Sequence, residues 1–294
     1  MTVDKTLEPG FHELTNEEYH SFKNVLSSSG ARSLLNVCPA RFRYDADHPQ
    51  EPNRNFDIGN IAHRLILGLG SMVEIVDAKD WRKKEPKEIR DAAYAAGKIP
   101  VLKSEFDACQ EMAQAIVDHP FAGGLFKEGS PEQSIFWQDE EFGFMCRARP
   151  DWLPTAGKIF ADYKTTTSAA PIDVNKSVDN FSYYQQAAWY ADGIRAVGHI
   201  DEPIPVFVFQ EKKAPYLVTV AQLDPIALEW GNILNRKARS IFAQCLERGE
   251  WPGYADDVIT AELPYYTESK LQRRHEAGEF ETALEMQAPL EQAL

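Results

Sequence analysis

Apolar residues recur with two different periods along the chain, and the change falls near its middle. Residues 27–36 (SSSGARSLLN) open on a serine suited to capping a helix and place Ala31, Leu34 and Leu35 on one side. In residues 57–69 (DIGNIAHRLILGL), Ile58, Ile61, Ala62, Leu65 and Leu69 recur at helical spacing. Residues 104–118 predict a further amphipathic helix that stops before His119-Pro120. The stretch 79–103 is charged and interrupted by Pro86, Gly97 and Pro100, and reads as a surface insertion. From residue 134 the period shortens. SIFWQ (134–138) and FMCRARPDWL (144–153) predict strands joined by the turn-like DEEFG, and KIFADYK (158–164) predicts a third. A long helix over 180–198, strands over 205–211 and 216–223, and a helix over 224–249 with Pro225 in its first turn complete the pattern. Strands alternating with helices behind a helical first half predict an α+β, or mixed α/β, domain.

Hydrophobic residues make up 44% of the 294 positions and charged ones 26%, enough to build a sizeable core and too apolar for a disordered chain. The expected organisation is an N-terminal arm (1–26), one domain (27–252) and an acidic tail (253–294). The longest apolar candidate, 61–76, is broken by His63, Arg64 and Glu74, so no membrane span is expected. The first ten residues lack the basic-then-apolar pattern of a signal peptide. Cys38, Cys109, Cys146 and Cys245 lie far apart with no CxxC pair, which argues against disulfides and a zinc knuckle. A cytoplasmic protein is the expectation.

A net charge of −14 speaks against a broad nucleic-acid-binding surface. Residues 255–294, however, hold nine acids against three bases, so six of those negative charges sit in the tail. A local basic groove stays open, and a site that holds metal ions against phosphate itself needs carboxylates.

Candidate chemistry gathers around two strand ends. Arg149-Pro150-Asp151 closes one strand and Asp162-Tyr163-Lys164 closes the next, across a short turn. Antiparallel neighbours can bring Asp151 and Asp162 together at one sheet end. Lys164, two residues after Asp162, shares its face of the strand. Two carboxylates can hold Mg²⁺ through hard oxygen ligands, with the Tyr163 backbone carbonyl as a further ligand. A lysine beside them can orient the attacking water and offset charge in the transition state. Asp151 as a turn residue and Asp162–Lys164 as a surface ion pair is the competing reading of those residues taken alone.

The order of four elements resembles the PD-(D/E)xK nuclease superfamily, and within it the RecB-like exonucleases. Pro150-Asp151 and Asp162-Tyr163-Lys164 are the central elements; Gly59 to His63 is similar to the GxxxH helix motif, and Gln186 with Tyr190 to the QxxxY helix motif. The phrases CRARPDWLP, ADYKTTT, YYQQAAWYADG and PVFVFQEK look like RecE-type exonuclease VIII and its phage relatives. The resemblance implies a restriction-endonuclease-like core, a mixed sheet flanked by helices. It implies that Asp151, Asp162, Lys164 and Gln186 are catalytic. It also implies that His63 is a metal ligand with Asp151, Asp162 and the Tyr163 carbonyl, Glu132 being a weaker further ligand. Tyr190 would contact the nucleic-acid backbone or pack within its helix. Ser28 at a helix start, with Arg32 and Arg41, could grip a terminal 5′-phosphate.

By the same resemblance the activity is a Mg²⁺-dependent exodeoxyribonuclease on linear double-stranded DNA ends, with Mn²⁺ substituting. The expected polarity is 5′ to 3′, leaving 3′ overhangs for homologous recombination. A single-strand annealing protein is the implied partner, and a homo-oligomer the implied assembly, a tetramer ahead of a trimer. Cys38-Pro39 is similar to the first cysteine of iron–sulfur relatives, but only Cys245 follows the QxxxY helix, so no iron–sulfur cluster is expected. Competing functions are a PD-(D/E)xK nuclease of other polarity, an endonuclease or single-strand nuclease, a DNA-end-binding recruitment protein, and a structural hairpin bearing these charges by chance.

Overall fold

The computed structural model describes residues 7–48, 57–69 and 73–280. The chain divides into two compact units, Met1–Gly253 and Tyr254–Leu294.

The first unit begins with β1 (Gly10–His12), α1 (Asn16–Ser21), β2 (Leu26–Ser27), α2 (Ser28–Asn36) and α3 (Pro39–Asp47). The described part of the expected N-terminal arm, residues 7–26, therefore pairs with the rest of the first unit. β1 pairs antiparallel with β6 (Ser134–Gln138), and β2 pairs parallel with β7 (Met145–Ala148). Two arginines clamp it further. Arg147 donates to the carbonyls of Tyr19 and Phe22, Arg149 donates to that of Leu14, and the Arg149 guanidinium stacks 3.9 Å above the Tyr19 ring. Single-sequence periodicity does not register such long-range ties.

α4 (Asp57–Ile66), β3 (Val73–Val76), α5 (Lys84–Ala95), β4 (Ile99–Leu102) and α6 (Lys103–Asp118) follow. The expected surface insertion over 79–103 is thus ordered structure, with Pro86, Ala93, Val101 and Leu102 buried and β4 paired parallel to β3. Pro86 sits in the first turn of α5, and Gly97, at φ 70°, lies just past its end. Pro and Gly there mark the two ends of one helix, which a reading of them as breaks misses.

The principal sheet has the order β11-β10-β9-β8-β5, built from β5 (Gly129–Pro131), β8 (Trp152–Pro154), β9 (Ile159–Thr166), β10 (Ile204–Glu211) and β11 (Val218–Gln222). A short α7 (Ala122–Leu125) precedes β5. The stretch expected as one strand over 144–153 is split. Its first half, β7, pairs with β6 in a four-stranded sheet, and its second half, β8, crosses into the principal sheet. Pro150 lies at the crossing, where its missing N–H ends the ladder.

β9 and β10 run parallel with Asp162 opposite Phe207 and Lys164 opposite Phe209. Parallel neighbours need a long crossover, supplied by α8 (Pro171–Asn180) and α9 (Tyr183–Ala196). The helix expected to begin at 180 starts at Tyr183, because Ser182 takes a left-handed conformation (φ 51°, ψ 45°) and separates the two helices. α10 (Pro225–Arg248) is capped by the Asp224 side chain, which accepts from Ala227 N–H, and is closed by left-handed Gly249. It lies so close to α9 that a Cβ on Gly231 would fall 2.4 Å from the Tyr184 carbonyl oxygen.

The largest buried cluster joins Leu26, Phe42, Trp137, Cys146, Trp189 and Phe242 between α2, α9, α10 and the four-stranded sheet. A second, with Val174, Ala187, Phe207 and Phe209, seals the crossover helices onto β10. This mixed α/β arrangement agrees with the expected fold class. In the second unit, α11 (Tyr265–Glu276) has no buried residue. No helix among the described residues is long and apolar enough to cross a membrane.

Candidate active site

β9 brings its alternate residues to opposite surfaces of the sheet. Tyr163 points into the core, buried, where its hydroxyl donates to Gln210 Oε1 at 2.7 Å. Asp162 and Lys164 face the other way, and the Lys164 ammonium forms an ion pair with Asp162 Oδ1. Beyond that pair, Asp162 Oδ1 is a buried acceptor with no hydrogen bond of ordinary geometry. Its other oxygen, Oδ2, accepts from Gln186 Nε2 of α9 at 2.7 Å.

Asp151, just past the Pro150 crossing, completes the pair of acids. Its Oδ2 accepts from Tyr163 N–H at 2.7 Å, and its Oδ1 lies 3.1 Å from His63 Nε2 on α4. A strand residue aims its N–H and C=O to the same side, so the Tyr163 carbonyl also faces the edge that carries Asp151. Glu132 sits further out, with Oε1 3.7 Å from His63 Nδ1. Its left-handed backbone (φ 44°) lets Glu132 N–H donate to the Asp151 carbonyl at 3.0 Å. Thus α4, the β5–β6 turn, the β7–β8 crossing, β9 and α9 each contribute one part of a single cluster.

Electrostatics divide the two aspartates. Burial, reinforced by the Asp151 charge, pushes Asp162 from the usual carboxylate range up to about 6, against the opposing pull of Lys164 and His63. Burial presses Asp151 upward too, but the His63 hydrogen bond and charge, Lys164 and the Tyr163 N–H outweigh it and hold this carboxyl below its ordinary value. Burial would lower Lys164, yet Asp162 and Asp151 raise it overall. His63 behaves likewise: burial lowers it, and Asp151, Glu132 and Asp162 raise it overall.

Among the described residues no group of three His, Cys, Asp or Glu side chains stands as a ready metal cage. The donors are turned on one another instead, Asp151 toward His63 and Asp162 toward Lys164. Their chemistry nonetheless suits a hard divalent cation. Carboxylate oxygens and one imidazole converge, Asp162 Oδ1 is a buried acceptor held by the Lys164 ammonium, and the mutual repulsion of the acids is what a cation would relieve.

Tyr190, four residues beyond Gln186 on α9, packs against the main core, and burial pushes its phenol well above the usual range beside Asp162, Tyr19 and Asp151. Ser28 opens α2 with 4% exposure, and its hydroxyl makes no hydrogen bond among the described residues. Arg32 reaches from α2 to donate to the Phe181 carbonyl at 2.7 Å, and its charge acts on Tyr183 and Tyr190. Arg41 is not brought to this cluster. It lies exposed on α3, held 3.1 Å from Asp45 one turn on, the ordinary partnership of opposite charges at that helical spacing.

Tyr183 was not singled out by sequence. It lies three residues before Gln186 and so shares its helix face, and the Lys164 ammonium stands 5.0 Å from its ring centre. That spacing from the QxxxY glutamine was the available signal.

Residues 27–262 match the family described as a PDDEXK-like domain of unknown function (DUF3799). The chain belongs to that family. Its motif letters are those of the Pro150-Asp151 and Asp162-Tyr163-Lys164 elements around which the cluster is built. The PDDEXK-like chain is similar to the crystal structure of a candidate exonuclease from Eubacterium rectale, with 14% identity, a TM-score of 0.58, and coverage of 86% of this chain and 97% of the other. That likeness is one of fold. A similarity to an alkaline exonuclease from Laribacter hongkongensis covers 64% of this chain and 91% of that one at 13% identity, and its TM-score of 0.27 gives it no weight. No curated protein matches the chain. The fold is that of the PD-(D/E)xK nuclease superfamily.

Proposed function

We propose that this chain is a divalent-metal-dependent exodeoxyribonuclease that degrades linear double-stranded DNA from an end. The observation that carries the reading is the grouping of Asp151, Asp162 and Lys164 at the β8–β9 edge, with His63 and Gln186 converging from two helices. Asp151, Asp162, His63 and the Tyr163 carbonyl would hold Mg²⁺, with Glu132 in reserve. Such an ion polarises the scissile phosphate and lowers the pKa of an attacking water.

The remaining work falls to the side chains. Lys164 orients the water and offsets charge that develops on the phosphate. Gln186 fixes the Asp162 carboxylate by its hydrogen bond, and the Tyr163 N–H does the same for Asp151. The His63–Asp151 contact ties α4 to the strand edge, so that the donors sit on rigid elements.

A 5′-to-3′ direction is supported by the α2 end. There the Ser28 hydroxyl, without a hydrogen-bond partner among the described residues, and Arg32, which donates to the Phe181 carbonyl, would offer a seat for a terminal phosphate. The 3′ overhang, its use in recombination with an annealing protein, and a homo-oligomeric assembly follow from the resemblance to RecE-type enzymes.

The test uses linear duplex labelled separately at each end and a covalently closed circle, with Mg²⁺ and with EDTA. Metal-dependent release of 5′-terminal nucleotides from the linear DNA alone is expected. Release from the 3′ end would reverse the polarity, cutting of the circle would make the enzyme an endonuclease, and no cleavage in any condition would overturn the proposal.

A further inference from the structure

Three aromatic rings stack outward from the sheet beside Lys164. Phe207 on β10 is fully buried, Tyr183 lies over it at 5.3 Å and 27°, and Phe181 lies over Tyr183 at 5.5 Å and 26°. The outermost ring is 58% exposed. The row therefore begins in the core, passes beneath the Lys164 ammonium at Tyr183, and ends with an aromatic ring largely open to solvent.

Phe181 is also held in place. It caps α8 at its C-terminus, and its carbonyl accepts the Arg32 hydrogen bond at 2.7 Å. The next residue, Ser182, adopts a left-handed conformation that non-glycine residues enter only at a cost. That single residue separates α8 from α9, and the Phe181 and Tyr183 rings on either side of it lie within 26° of parallel. An exposed phenylalanine on a mobile surface would be unremarked. One anchored by stacking, by a guanidinium and by a strained hinge is a preformed platform.

We propose that Phe181 is a base-stacking residue: its exposed ring receives a nucleobase of the DNA strand held at Lys164, adding a further ring to the Phe207–Tyr183–Phe181 row. This inference rests on the nuclease reading for its substrate, and it deepens that reading by naming how the strand is held. Stacking on an aromatic face is tolerant of sequence, because every base has a π-face. The platform therefore suits an enzyme that advances through any sequence. Phe181 is a positioning residue, since it touches a base and not the reacting phosphate.

The experiment uses the full chain with linear duplexes carrying 2-aminopurine at the first, second or third nucleotide from the 5′ end. Binding is read by fluorescence in EDTA at low ionic strength, so that the readout does not depend on cleavage. The wild type should quench the probe strongly at one of those positions. Phe181→Ala should lose that quenching, Phe181→Leu should lose it while keeping apolar contact with Tyr183, and Phe181→Trp should restore it. In Mg²⁺, Phe181→Ala should raise KM about tenfold with kcat within about twofold, the size of one base–aromatic stack. Thermal unfolding of each variant should match the wild type. Absence of position-specific quenching in the wild type, or equal quenching in wild type and Phe181→Leu, overturns the proposal. Cleavage without any Phe181-dependent change removes the platform and keeps the nuclease. Phe181-dependent quenching without cleavage keeps the platform and removes the nuclease.

Discussion

Gln186 Nε2 and the Lys164 ammonium grip opposite oxygens of the Asp162 carboxylate, the amide at Oδ2 and the ammonium at Oδ1. One carboxylate is therefore fixed by a helix and by its own strand at once. Replacing Gln186 by Ala should lower metal affinity or turnover by about 10- to 100-fold, as loss of an orienting partner does elsewhere. Replacing it by Glu sets a carboxyl against a carboxyl and should be worse at neutral pH. Isothermal titration with Mg²⁺ and steady-state cleavage of linear duplex check both.

Lys164→Ala should reduce single-turnover cleavage by roughly a thousandfold, the scale of losing one preorganised charge at the reacting group. DNA binding, followed by anisotropy, should persist, because the substitution removes one ammonium from the polar cluster and leaves the apolar clusters around β9 and β10 untouched. Retention of near wild-type cleavage would remove Lys164 from the chemistry.

Asp162 makes metal binding and stability depend on pH in opposite ways. In the metal-free protein its folded pKa is raised to about 6, mainly by burial. Below that pH a cation must displace a proton, so affinity should fall about tenfold per unit as pH drops beneath 6 and level off above it. For stability, the folded state keeps a proton that the unfolded state has already lost. The stabilisation is complete below the unfolded pKa near 4 and is lost as pH rises through about 6. Denaturation in EDTA at pH 5 and pH 7.5 should show Asp162→Asn lacking this contribution, on the order of 2 kcal/mol. Asp151, held low, works in the opposite sense and is common to both proteins.

Tyr163→Phe should separate the two faces of β9. It removes the hydroxyl that Gln210 Oε1 accepts, leaving a buried carbonyl oxygen unpaired while Gln210 Nε2 still donates to Met112. The cost should be about 1–3 kcal/mol in urea unfolding. Cleavage by the folded variant should be unchanged, because the ring points away from Asp162 and Lys164.

Much of the cluster was legible because its chemistry is written in local spacing. Asp162 and Lys164 two apart on a strand, and Gln186 and Tyr190 four apart on a helix, share faces by geometry alone. What spacing does not encode is where a strand changes partner. Pro150 divides a ten-residue strand-like stretch, FMCRARPDWL, between two sheets, and the alternation of the residues around it does not say which sheet each half joins. The attachment of the N-terminal segment is not encoded locally for a related reason: it depends on Arg147 and Arg149, more than a hundred residues downstream. Arg41 pairs with Asp45, one helical turn on, a partnership that its sequence spacing also encodes. Tyr183 escaped notice because its partner Lys164 lies on another element, across the β9–α9 crossover.

Strand β9 is shared between two tasks. Its odd member, Tyr163, anchors the apolar interior, and its even members, Asp162 and Lys164, serve the polar cluster on the opposite face. Slipping the strand by a single residue would exchange those assignments, setting the acid and the lysine into the apolar interior and the aromatic ring into the polar cluster. Catalytic acids and core are thereby set in phase by one register. Accommodation to substrate or metal must then come from the converging helices, through His63 and Gln186, while the strand serves as the fixed ruler against which they are adjusted.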